Sequence, residues 1–119
     1  MEEHAERTTS IGRWWQRKRS ISELVDVSDE ATVRRWVSEI EPGQDVTVVV
    51  RRPWGTIAVV AGGKHPPSVF LADDTDTPRY AVAPGAPGDQ HLTPDEVERI
   101  VVDALTSAGP PDWPDWREL

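Results

Sequence analysis

Residues 46–61 read VTVVVRRPWGTIAVVA, and this stretch decides the fold. Val46, Thr47, Val48, Val49 and Val50 are all β-branched, which fits a pleated strand and crowds a helix. The run is apolar on both faces, the pattern of an inner strand covered on both sides. Pro53, Trp54 and Gly55 supply turn chemistry. Thr56 to Ala61 then returns with the same composition, so the two runs predict a hairpin and hence an antiparallel sheet.

The pattern extends outward in both directions. Val69 to Ala72 predicts a third strand and Arg79 to Val82 a fourth, joined by Asp73-Asp74-Thr75-Asp76-Thr77-Pro78. Residues 84–90, PGAPGDQ, are too rich in Pro and Gly for regular structure. Upstream, Ser28 or Asp29 caps a helix running to about Ile40. There Val33, Trp36, Val37 and Ile40 fall at i, i+3, i+4 and i+7, one buried stripe. Glu30–Arg34 and Arg35–Glu39 are i, i+4 pairs on its wet side.

A second helix is the most clearly marked element. Thr93-Pro94-Asp95-Glu96 is a capping box with proline where a missing N–H costs nothing. Val97, Ile100, Val101, Ala104, Leu105 and Ala108 then repeat with helical period, and Gly109 stands where a left-handed C-cap would go. Pro110 and Pro111 forbid continuation, and PPDWPDWREL ends the chain as an extended tail. Residues 1–10 are polar and read as a flexible N-terminal segment. Ile11 to Arg19 reads as a strand, an extended arm or a short basic helix. The expected architecture is α+β: a single domain over residues 11–119, a mainly antiparallel meander of four to six strands packed by two helices.

Composition bounds the chemistry. The chain has 119 residues, enough for one core without metal or disulfide staples. It has no cysteine, which excludes disulfides, thiolate zinc sites and cysteine nucleophiles. No apolar run approaches a membrane span, and MEEHAERTTS lacks the apolar stretch of a secretory signal, so a cytoplasmic location without membrane contact is expected. The net charge of −8 is uneven. Residues 1–20 hold five basic and three acidic groups, +2, and residues 21–119 hold eight and eighteen, −10. Such a body repels nucleic acid phosphate and attracts basic surfaces.

Familiar site patterns fail on spacing. His4, His65 and His91 are scattered, without helical zinc spacing. Asp74 and Asp76 begin a calcium-like loop, but the turn glycine and the bidentate glutamate are missing. Gly62-Gly63-Lys64 lacks the earlier glycine and the following Ser or Thr of a phosphate loop. No G-x-S-x-G elbow occurs. A carboxylate enzyme using Asp73 and Asp76 is the least favoured reading, so the chain is expected not to be an enzyme and to need no metal or cofactor.

The tryptophans remain. Trp36 lies on the first helix stripe and reads as core. Trp116 reads as a clamp holding the tail to the sheet. Trp54 and Trp113 read equally as partner-facing anchors and as internal clamps. Residues 13–19, RWWQRKR, have the make-up of a docking segment, and also of an arm docked on the acidic body.

The order of these elements resembles the Imm1 group of bacterial immunity proteins, antidotes encoded beside polymorphic secreted toxins. The similar features are GRWWQRKRS, then ISELVDVSDEATVRRWVSEI, the hairpin VTVVVRRPWGTIAVVAGG, SVFLADD, and a closing helix followed by Gly109, Pro111 and Trp116. The chain departs from the pattern in Pro114 and in PGAPGDQ, which lacks aromatic residues. The resemblance implies binding rather than catalysis. The partner would be a cognate toxin with a basic surface, of deaminase-like or nuclease type, neutralised through an acidic, Trp-containing surface. The contact residues expected are Trp54, Asp73, Asp74, Asp76, Asp112, Trp113 and Asp115. The alternative is a non-catalytic regulatory or adaptor protein that docks another protein through its N-terminal basic-aromatic segment.

Overall fold

The computed structural model of the chain describes residues 3–11, 19–40, 45–62, 65–73, 77–84 and 92–119. In chain order the elements are β1 (His4–Ile11), β2 (Arg19–Val25), α1 (Glu30–Ser38), β3 (Asp45–Arg52), β4 (Gly55–Gly62), β5 (His65–Asp73), β6 (Arg79–Val82), α2 (Pro94–Thr106) and β7 (Asp115–Glu118). The strands form one antiparallel sheet in the order β2-β1-β3-β4-β5-β6-β7. The class is α+β, and the sheet has seven strands instead of the expected four to six.

The additional strands come from the two ends of the chain. Residues 1–10 were expected to be flexible, yet β1 lies between β2 and β3, pairs Ala5 with Val50 and Thr9 with Val46, and buries Ala5 completely. Its sequence, HAERTTSI, carries almost no apolar signal because only one face is covered, and that face is built from Ala5, Arg7 and Thr9. The tail likewise becomes β7, with Ala81 opposite Trp116 and Val82 opposite Asp115. Ile11 and Arg19 pair across the β1–β2 hairpin. The stretch between them, which holds most of RWWQRKR, lies outside the described residues, as do Asp74, Asp76 and His91.

Both helices cover one sheet face. Val46, Val48 and Val50 of β3, Ile57 and Val59 of β4, and Val69 and Leu71 of β5 point into the core. They meet Val33, Trp36 and Val37 of α1 and Val97, Ile100, Val101, Ala104 and Leu105 of α2. Trp36, Ile57, Leu71 and Ile100 are the largest side chains sealed there. The expectation that the Val46–Arg51 strand is covered on both sides is corrected. Thr47 and Val49 are only half-buried, because they belong to the face opposite the helices. A β-branched run reports pleated backbone whether or not its second face is packed.

The helix ends follow local and tertiary rules respectively. Asp29 caps α1 by accepting the Thr32 backbone N–H at 3.3 Å. In α2 the Thr93 hydroxyl accepts the Glu96 N–H at 3.2 Å while the Glu96 carboxylate accepts the Thr93 N–H at 2.8 Å. Thr93→Ala is expected to cost about 1 kcal/mol, read as a fall in the urea midpoint at unchanged m-value. A midpoint equal to that of the parent would show that α2 is held by packing alone. At the other end the expected Gly109 cap is not used. The helix stops at Thr106, Ser107 is extended, and Gly55 alone among the described glycines has a positive φ. The Ser107 carbonyl instead accepts Arg52 Nη2 at 3.2 Å and Trp54 Nε1 at 3.1 Å. A cation brought from β3 thus neutralises the negative end of a helix whose own last turn has no basic residue.

No helix among the described residues is long and apolar enough to cross a membrane.

Candidate functional site

The tail after α2 repeats a triplet, Pro111-Asp112-Trp113 and Pro114-Asp115-Trp116, and both copies are placed alike. Each proline is buried, each aspartate exposed and each tryptophan half-buried. The prolines therefore seat the tail, the rings lie against the core, and the carboxylates face outward.

Trp113 is fixed from two sides. Its Nε1 donates to Asp103 Oδ2 at 3.2 Å, and the Arg99 guanidinium stacks over the ring, 4.3 Å from its centre. Arg99 and Asp103 are i, i+4 neighbours on α2 and lie 4.0 Å apart, so the helix presents the cation and the acceptor on one face. Asp112, the residue before Trp113, is exposed. Trp113 is thus a half-buried ring held by two side chains of α2, with exposed acids before and after it in sequence at Asp112 and Asp115.

Trp116 acts as the clamp its position implies. Its Nε1 donates to the Pro111 carbonyl at 2.7 Å and its ring packs on the core. Trp54 is an internal clamp as well. Its indole N–H is committed to Ser107 and its ring packs against the core. Asp73, expected in an open acidic patch, forms an ion pair with Arg79 and is mostly covered. Gly55 pairs with Asp73, so the structure brings Trp54 and Asp73 to one end of the sheet. Asp115 lies toward the opposite end of β7, about 10 Å along that strand from Glu118, itself paired with Arg79. Among the described contact residues, Trp54 and Trp113 both reach the C-terminal part of α2, at Ser107 and Asp103 one turn apart. Asp112 and Asp115 are exposed in the tail, Trp54 and Asp73 each hold an internal partner, and Asp74 and Asp76 lie outside the described residues.

Compared with protein families, characterised proteins and solved structures, the chain matches none.

A second surface escaped the sequence reading. The sheet face away from the helices carries the cross-strand row Leu24, Glu6, Val49, Ala58, Phe70, Tyr80 and Arg117. Thr8, Thr47, Val60 and Ser68 form the next row. At its centre the described part of this face carries Thr47, Val49, Ala58 and Phe70, uncharged and half-buried. Its signal was the alternate set Thr47, Val49, Thr56, Ala58, hidden because these residues read as apolar β-formers. A small cavity of about 40 Å³ lies between Arg7, Thr9, Trp36, Glu39, Ile40 and Val46. That is room for a water or two, not for an organic substrate. Among the described residues no group of three or more His, Asp or Glu side chains is placed to hold a metal ion.

Proposed function

We propose that this chain is an immunity protein that binds and neutralises a basic secreted toxin, of nuclease or deaminase-like type, in the cytoplasm of the producing cell. The observation that carries this reading is the pinned Trp113 with Asp112 before it in sequence and Asp115 one triplet on. A ring already held by Arg99 and Asp103 loses little side-chain freedom on binding, which is how an anchor gains affinity. The excess negative charge of residues 21–119 steers association with a basic cleft, and adjacent carboxylates supply charge-assisted contacts. The resemblance of the element order to Imm1 proteins agrees with this use.

The direct test mixes the protein with the toxin domain encoded by the adjacent gene, and absence of a complex in size exclusion sinks the proposal. Given a complex, Trp113→Ala is expected to raise Kd by about thirtyfold, the size of an anchor residue. Because Trp113 also packs on the core, Asp112→Arg is the companion variant. This exposed charge reversal is expected to slow association at low salt and to matter less as salt rises. Unchanged affinity in both variants would place the interface elsewhere. The adaptor alternative is tested by Trp14→Ser/Trp15→Ser rather than by truncation, because removing residues 1–20 would take β1 out of the sheet.

A further inference from the structure

We propose that two copies of this chain pair through β2, antiparallel about a twofold axis at Ile21, joining their sheets edge to edge. This inference stands apart from the toxin-binding reading and uses different residues.

The two edges of the sheet are built differently. β7 is four residues long, follows Pro114 directly and is charged at Asp115, Arg117 and Glu118. A short, charged, proline-flanked strand is a blunted edge. β2 is seven residues long, contains no proline or lysine, and pairs with β1 through seven residues without a register shift. Residues 21–24 are exposed, with Ile21 at 49% and Leu24 at 62%. Along such a strand alternate residues direct their N–H and C=O groups away from the sheet, a ready template for another strand.

The sequence of that edge is self-complementary. Residues 19–23 read Arg-Ser-Ile-Ser-Glu. In a twofold antiparallel pair, opposed residues must lie on the same sheet face, so only registers that pair odd with odd and even with even are allowed. An axis at Ile21 sets Arg19 of each copy opposite Glu23 of the other, Ser20 opposite Ser22, and Ile21 against itself. An axis at Ser22 would oppose Ile21 to Glu23. An axis at Glu23 would oppose two glutamates, which is destabilising. Only the Ile21 register gives two opposite-charge pairs around an apolar centre. Glu23 is free to take part while still held by Arg7, because Arg7 engages one of its two carboxylate oxygens. The resulting sheet has fourteen strands with the helices of both copies on one side, taking seven from each chain.

The test starts from the full chain in light scattering over a concentration series, with a dimer expected. The chain has no cysteine, so Ile21→Cys introduces one thiol per copy. Directly opposed residues sit about 4.5–5.5 Å apart between Cα atoms, within disulfide reach. Mild oxidation is expected to cross-link Ile21→Cys and to leave Leu24→Cys largely monomeric on a non-reducing gel. Glu23→Arg and Arg19→Glu are each expected to abolish the dimer, and the double swap to restore it. Glu23→Arg also breaks the contact with Arg7. The double swap does not repair that contact, so its rescue reports pairing between copies. A monomer at every concentration, equal cross-linking at both cysteine positions, or no rescue by the double swap would each overturn the proposal.

Discussion

Replacing Trp36 with alanine is expected to cost about 4 kcal/mol of unfolding free energy and roughly 15 °C of melting temperature. Trp36 is 1% exposed and is the largest sealed side chain of the core. It sits where α1 meets the sheet beside β1, with the Arg7 guanidinium 5.5 Å from its ring centre. Arg7 is in turn held by Glu23 of β2 and by Glu39 just after α1, so the ring lies under the contact that ties three elements together. Truncation leaves a cavity that the rigid sheet cannot close. Trp36→Phe should cost much less, about 1–2 kcal/mol, because the phenyl ring refills most of the space, and among the described residues no protein group accepts from the indole N–H. Urea unfolding of the two variants decides the point. Equal losses would mean that the indole nitrogen contributes to stability after all, and a loss under about 1 kcal/mol for Trp36→Ala would remove the residue from the centre of the core.

Gly55→Ala is expected to destabilise the fold by about 3 kcal/mol, roughly 12 °C, although Gly55 is only half-buried, at the start of β4. Pro53 locks φ near −65° and so prevents the primed two-residue turns, which need a positive φ at that position. The positive φ falls on Gly55 instead, at +150°. A Cβ there would stand 2.7 Å from the Ala72 carbonyl oxygen and 3.1 Å from the Asp73 Cα. Both neighbours are backbone of β5, so relief requires the β4–β5 ladder to shift and disturbs Asp73, which is paired with Arg79. Gly109→Ala is the control, since a Cβ there meets nothing within 4 Å and φ is not positive. If the two variants melt together, the steric account of the turn fails.

The reading of individual elements succeeded where the signal is local. The capping box at Thr93, the stripe from Val97 to Leu105 and the Val46–Ala61 hairpin are each specified by residues a few positions apart, and all are present. β1 was illegible because its neighbour β3 lies some forty residues away, and the strand needs only Ala5 to be small. The Gly109 cap was misassigned for a related reason. Its local pattern is sound, but the helix ends earlier, at Thr106, where Arg52 and Trp54 from another element hold the Ser107 carbonyl of the C-cap. The candidate site was half legible. Tryptophans bounded by acids were visible, yet whether each ring turns inward depends on the location of an acceptor: Ser107 for Trp54, Asp103 for Trp113, Pro111 for Trp116.

By itself, then, the amino-acid order determined the α+β class, the two helices with their N-terminal caps, the meander and the strongly negative body, because propensity, periodicity and charge act over a single turn or a single strand. Only the tertiary structure decided that the polar N-terminus is an interior strand and that the tail joins the sheet as β7. Those outcomes depend on which distant backbone groups find each other, and a half-buried strand of Ala, Thr and Arg carries that information in its partners rather than in its own composition.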